Sequence, residues 1–141
     1  MLIPLVESAE GAEAAVAAAR FPPRGRRGGG PGRAALYGLD RKRALEREIT
    51  VAVQIETAAA LDNLDAILAV EGIDLIFVGP NDLALSLGRP ADAEIADVLV
   101  RARRAGLDTG TLVKHADPDT TVAVLGTDLG LLAAGVRAAT G

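Results

Sequence analysis

Two acidic residues stand where two apolar, strand-like segments end. Glu56 closes the segment TVAVQIE, and Asp82 follows the segment that ends at Val78, so that 26 positions separate the two acids. Neighbouring parallel strands lie about 4.8 Å apart and end at one edge of a sheet, so the two carboxylates can converge there. Two carboxylates without cysteine or a nearby histidine favour Mg²⁺ or Mn²⁺, with water and substrate as further ligands. Gln54 lies two residues before Glu56, on the same face, where it can donate a hydrogen bond to a ligand.

The same two acids have a second interpretation. Acidic side chains are stabilised at helix N-termini, so Glu56 can begin a helix and Asp82 can cap one without any role in chemistry. Their spacing alone does not decide between these interpretations.

The elements that must position these residues alternate between strand and helix. We predict strands over residues 2–6, 50–56, 73–78, 109–113 and 121–125, and helices over 9–20, 40–48, 58–70, 91–105 and 129–139. Ser8 is the expected N-cap of the first helix, Gly72 follows a helix end, Asn81 and Asp82 form a polar turn, and Asp128 caps the last helix. This order predicts parallel strands joined by crossovers, in either an open doubly wound sheet or a (β/α) barrel. A complete eight-stranded barrel needs about 200 residues or more, so 141 residues can supply only part of one.

Composition excludes several classes of function. The chain has no cysteine, one histidine and three aromatic residues, which rules out thiolate chemistry, multi-histidine metal sites and stacking platforms for nucleic acid. A net charge of -4 argues against nucleic acid as the main partner. Neither a membrane-length apolar run nor the pattern of a signal peptide is present, so we expect a cytoplasmic chain without a membrane partner.

A basic loop over residues 21–33, FPPRGRRGGGPGR, interrupts the alternation. Its prolines and five glycines prevent regular structure. It can be a solvated or interfacial loop, or an anion site formed by Arg24, Arg26 and Arg27 with glycine amides. No helix start directly follows the glycines, which favours the first interpretation.

Four segments together resemble the HpcH/HpaI aldolase/citrate lyase family, the metal-dependent pyruvate aldolases. They are LIPLVESAEGAEAAVAAARFPPRGRRG, VAVQIETAAALDNLDAI, IDLIFVGPNDLALSLG and VAVLGTDLGLL. The resemblance implies a (β/α)₈ TIM barrel that cleaves a 4-hydroxy-2-oxo acid to pyruvate and an aldehyde through a metal-bound enolate. It also implies a homo-oligomer.

The resemblance assigns roles to individual residues. It makes Glu56 and Asp82 the ligands of Mg²⁺ or Mn²⁺, with Asp82 also beside the substrate. By the same resemblance Gln54 contacts the pyruvate moiety, and the backbone amide of Asn81 contacts the substrate carboxylate. Leu112 would line the aldehyde side.

Other positions depart from the family. By the resemblance, its first three strands lie upstream of Met1 and carry a catalytic histidine, paired with an aspartate, and an arginine that binds the oxo acid. His115 lies on the wrong strand–helix unit to replace that histidine, and we expect it in a solvated loop. Only 15 residues separate Leu112 from Asp128, too few for the expected crossover helix.

We therefore expect a single domain over residues 1–141, an incomplete barrel with about its fourth to eighth strands. Its lyase activity would be impaired. Two alternatives remain open: a non-catalytic fragment that needs a partner chain, and a phosphate-binding α/β domain that uses the Arg/Gly loop. No P-loop pattern supports the second alternative.

Overall fold

Parallel strands in sequential order form the sheet of the protein, seen in a computed structural model that describes residues 1–113 and 120–141. The strands are β1 (Leu2–Ile3), β2 (Ala52–Ile55), β3 (Leu75–Val78), β4 (Asp108–Leu112) and β5 (Val122–Val124). Each pairs only with its neighbours in the chain, in the order β1-β2-β3-β4-β5 within the described residues. The α/β fold with a parallel sheet is thereby confirmed. The predicted loop at His115, within residues 114–119, lies outside the described residues.

Helices connect these strands. They are α1 (Ala9–Ala19), α2 (Arg41–Glu46), α3 (Ala58–Asp62), α4 (Leu64–Leu68), α5 (Pro80–Leu87), α6 (Asp92–Arg104) and α7 (Asp128–Thr140), with a 3₁₀ helix at Arg33–Gly38. In the described part of the chain, none of them is long and apolar enough to cross a membrane.

The two faces of the sheet differ in what covers them. One face carries Val53, Ile55, Ile76 and Val78, which are fully buried in the main core with apolar residues of the helices. The opposite face carries a smaller cluster of Ala52, Leu75 and Phe77. Because side chains alternate along a strand, Gln54 and Glu56 point to the same side as Ala52. The polar residues of β2 therefore lie on the side opposite the main core.

One helix prediction and one turn prediction were wrong. The predicted helix over residues 58–70 is divided into α3 and α4 at Asn63, whose side-chain amide donates to the carbonyl groups of Glu7 and Ala59. The predicted turn at Asn81 and Asp82 is instead the first turn of α5, since Pro80 occupies the first helical position, where its missing N–H costs nothing.

Two of the three predicted helix-end residues agree with the structure. Ser8 accepts a hydrogen bond from the Gly11 amide and caps α1, as predicted. Gly72 has the predicted left-handed backbone, with φ of +95°. The cap of α7 was assigned wrongly, because Thr127, one residue before Asp128, accepts from the amide of Gly130. The Thr127 hydroxyl accepts from an amide of the first turn that has no partner within the helix. Asp128 stabilises the helix through its negative charge near the N-terminus instead.

The side chain of Arg20 connects α1 to the amino ends of β2 and β3. Its guanidinium donates to the Glu48 carboxylate at 3.0 Å and to the Ile49 carbonyl at 2.8 Å, just before β2. It also donates to the Gly72 carbonyl at 3.2 Å and the Asp74 carboxylate at 2.7 Å, just before β3. Arg20 is 9% exposed, so its charge depends on these partners.

We expect Arg20→Ala to lower the free energy of unfolding by about 2 kcal/mol, because it leaves carbonyl and carboxylate groups without their charged donor. The carboxylates of Glu48 and Asp74 are partly exposed, so the loss of stability is smaller than for a fully buried ion pair. Urea unfolding followed by circular dichroism measures it. Arg26→Ala, in the exposed loop, is the matched control. Equal unfolding midpoints for the two variants would contradict the role given to Arg20.

Candidate functional site

The carboxylate of Glu56 lies at the carboxyl end of β2 and is almost fully buried, with 4% of the residue exposed. Its Oε1 accepts a hydrogen bond from the backbone amide of Leu5 at 2.9 Å. Its Oε2 accepts one from the side-chain amide of Gln54. Both oxygens are therefore held by donors, one from the end of β1 and one from β2 itself, which fixes the orientation of the carboxylate.

The donor from β1 depends on an unusual backbone conformation. Leu5 has φ of +54°, in the left-handed region that residues with a side chain seldom adopt. Its own side chain is 66% exposed, so burial of that side chain does not explain the conformation. In this conformation the Leu5 amide donates to Glu56, and strained backbone of this kind is frequent at functional sites.

Gly79, just after β3, lies against the same carboxylate. A Cβ atom at this position would lie 2.7 Å from Nε2 of Gln54 and 2.9 Å from Oε2 of Glu56. Contacts below 3.0 Å require displacement of one of the groups involved. A residue without a side chain is therefore needed for β3 to approach the carboxylate this closely.

Asp82 lies in the first turn of α5 and lines the same cavity as Glu56. This cavity has a volume of about 380 Å³ and is open to solvent. Its remaining lining residues come from the segments after β1, β2 and β3, namely Pro4, Leu5, Thr57, Leu85 and Ser86. The two acids are the only charged residues of the lining that the structure describes.

The other site residues singled out from the sequence, Gln54, Asn81 and Leu112, do not line this cavity. Gln54 contacts Glu56 directly. Asn81 is exposed at the second position of α5, where backbone amides have no partner within the helix. Leu112 ends β4, is 37% exposed and does not line this cavity. Among residues 1–113 and 120–141, no three histidines, cysteines or acids form a metal cluster.

Sequence reasoning missed Leu85 and Ser86. Asp82, Leu85 and Ser86 have the i, i+3, i+4 spacing of one helix face, so recognition of α5 would have placed them together. The hydroxyl of Ser86 also accepts from the Ala58 amide at 3.0 Å, which connects α5 to the start of α3.

The family model described as HpcH/HpaI aldolase/citrate lyase matches residues 1–137. The chain belongs to this family. The assignment made from the sequence motifs is confirmed, and with it membership of a family of lyase-type enzymes.

Two relatives have established names. A 2-keto-3-deoxy-L-rhamnonate aldolase from Klebsiella pneumoniae is 45% identical over 123 residues, which cover 79% of this chain. A hydroxypyruvate/pyruvate aldolase from Roseovarius nubinhibens is 39% identical over 155 residues, which cover 97% of this chain. Since 155 aligned positions exceed the 141 residues of the chain, the Roseovarius enzyme has residues without a counterpart here.

The fold has a clear match among solved structures of the family. The crystal structure of an HpcH/HpaI aldolase/citrate lyase family protein from Burkholderia cenocepacia superposes on 99% of this chain with a TM-score of 0.87 and 31% identity. Such neighbours are TIM-barrel-like. The chain spans 46% of the Klebsiella enzyme, 60% of the Roseovarius enzyme and 62% of the Burkholderia protein.

We expect Gly79→Ala to lower the free energy of unfolding by about 1–3 kcal/mol, because the added methyl group overlaps Gln54 and Glu56. Gln54 is the only glutamine, so its side-chain amide signal in a nitrogen-15 NMR spectrum reports on the displacement directly. Gly135→Ala is the matched control, since nothing lies within 4 Å of a Cβ there and alanine favours the helix. An unchanged Gln54 signal in Gly79→Ala would contradict the expected overlap.

Proposed function

We propose that this chain carries the pyruvate-binding half of an aldolase site, which cleaves a 4-hydroxy-2-oxo acid to pyruvate and an aldehyde. The observation that carries the proposal is the cavity shared by Glu56 and Asp82 at the carboxyl ends of adjacent parallel strands. Family membership and the two named aldolases, which act on oxo-acid substrates by name, support the same reaction class.

We propose Mg²⁺ or Mn²⁺ as the cofactor, held by Glu56 and Asp82. The donor set fits such an ion, because both donors are hard carboxylate oxygens. The cavity lining includes neither lysine nor arginine, so the two negative charges have no cationic partner among these described residues. A bound divalent cation supplies a Lewis acid that stabilises the negative charge of a pyruvate enolate.

The residues of the chain itself would bind and orient the substrate. Gln54 holds the Glu56 carboxylate in one orientation. The first turn of α5 presents the backbone amides of Asn81 and Asp82, which suit a substrate carboxylate. The side chains of Leu5 and Leu85 add apolar surface to the same cavity.

We expect the isolated chain to bind Mn²⁺, and Glu56→Gln and Asp82→Asn each to weaken binding about tenfold or more. Electron paramagnetic resonance of free Mn²⁺ measures the affinity without any need for turnover. Asp62→Asn, an exposed acid of α3, is the control with the same charge change. If all three variants weaken binding equally, the ion is held by general negative charge and the proposed site is wrong.

We propose that aldol cleavage by this chain alone is weak. Among residues 1–113 and 120–141, those that line the cavity include neither a histidine nor a lysine, so this part of the lining offers no such base. The family resemblance assigns the base and the oxo-acid arginine to strands that precede the matching segments. The sequential order of the five strands agrees with part of a barrel, about its fourth to eighth strands.

We expect pyruvate release from a 4-hydroxy-2-oxo acid, with Mg²⁺ present, to be about 100- to 10,000-fold slower than for a full-length relative, since one well-placed base contributes that much. A lactate dehydrogenase-coupled assay measures the rate. Glu56→Gln should abolish the remaining activity, and Asp62→Asn should keep it. A rate equal to that of the full-length relative would contradict the impairment while leaving the aldolase assignment in place.

Self-association in the cytoplasm completes the proposal. The apolar helix α7 has no buried residue, and Leu129, Leu131, Leu132 and Val136 are all more than half exposed. Exposed apolar surface of this extent is typical of an interface.

A further inference from the structure

Another cavity among the described residues lies away from the two carboxylates. It has a volume of about 540 Å³ and lies between the Gly/Pro loop and α2. The loop begins directly after Arg20, whose side chain contacts the amino ends of β2 and β3, so this cavity is at the opposite edge of the sheet from Glu56. It is therefore separate from the proposed aldolase site.

Positive charge dominates the lining of this cavity. Arg27, Arg33 and Arg41 line it, and no aspartate or glutamate does so among the described residues. None of these three arginines takes part in a salt bridge in the described part of the chain, whereas the nearby Arg20 and Arg24 are both paired with Glu48. The cavity thus contains positive charge that no carboxylate of the described chain neutralises.

Two of these guanidinium groups are already held in place. Arg27 lies over the ring of Phe21, with 4.7 Å between its Cζ atom and the ring centroid. Arg41 donates to the carbonyl of Gly29 at 3.1 Å. Because their side chains are partly ordered before a ligand arrives, less conformational entropy is lost on binding.

The rest of the lining supplies amides and apolar contacts. Cβ atoms built at Gly28 and Gly30 would meet nothing within 4 Å, so the backbone there is open to a ligand. Exposed amides of such loops bind anions. Phe21 and Leu45 add apolar surface to the same cavity.

The geometry points to a binding site for a phosphate monoester of a small organic molecule. Guanidinium groups match phosphate oxygens in pairs, and three positive charges suit a dianion better than a monocarboxylate. A volume of about 540 Å³ leaves room beyond the phosphate for an organic group against the apolar wall. This inference does not depend on the aldolase proposal.

Isothermal titration of the full chain at constant ionic strength tests the inference, with phenyl phosphate, inorganic phosphate and benzoate as probes. We expect saturable binding of phenyl phosphate that is about tenfold or more tighter than that of benzoate. Arg33→Ala and Arg41→Ala should each weaken phenyl phosphate binding about tenfold. Circular dichroism of each variant establishes that it is folded.

Arg43→Ala is the matched control, because Arg43 belongs to the same basic segment but does not line the cavity. It should change the affinity less than about twofold. Equal loss in Arg43→Ala and Arg41→Ala would overturn the inference, since binding would then follow net charge alone. Benzoate binding as tight as that of phenyl phosphate would overturn the phosphate assignment, and equal affinity for inorganic and phenyl phosphate would overturn the role of the organic group.

Discussion

The placement of the Glu56 carboxylate is the constraint on which the carboxyl edge of the sheet depends. A buried carboxylate is costly unless its oxygens are hydrogen-bonded. Here the partners come from the strand itself and from the end of the preceding strand, through Gln54 and the amide of Leu5. The following strand contributes a close approach that only Gly79 permits. One side chain thus contacts the segment after β1 and the end of β3, and it shares a cavity with Asp82 of α5.

The amino edge of the sheet is organised around the opposite charge. Arg20 connects the end of α1 to the segments that lead into β2 and β3, and one of its partners, Asp74, also accepts a hydrogen bond from the Val51 amide. The loop that follows contains further arginines without carboxylate partners among the described residues. The two edges therefore differ in electrostatic character. The acidic cavity at Glu56 suits a cation, and the cavity with the arginines suits an anion. The same separation explains why a chain with a net charge of -4 can still contain a strongly basic cavity.

The sequence predicted what depends on residues close together in the chain. The alternation of elements, the cap at Ser8 and the left-handed Gly72 all follow from local patterns, and the structure agrees with them. The first turn of α5 was predicted as a polar turn at Asn81 and Asp82, although the proline before them is well suited to begin a helix. The left-handed backbone of Leu5 and the close approach of Gly79 could not be predicted from local patterns. Both residues contact Glu56, which lies 51 and 23 positions away from them in the chain, so these contacts exist only in the tertiary structure.

The two proposed sites differ in how much of the protein each requires. The proposed lyase site would need groups that the resemblance assigns to strands beyond the matching segments, and the chain spans less than two thirds of the relatives named above. The exposed apolar surface of α7 agrees with a sheet that another chain or segment covers. The described residues that line the basic cavity all lie within residues 21–45. The two cavities share no lining residue. A substitution in one cavity can therefore test ligand binding there without changing the residues of the other.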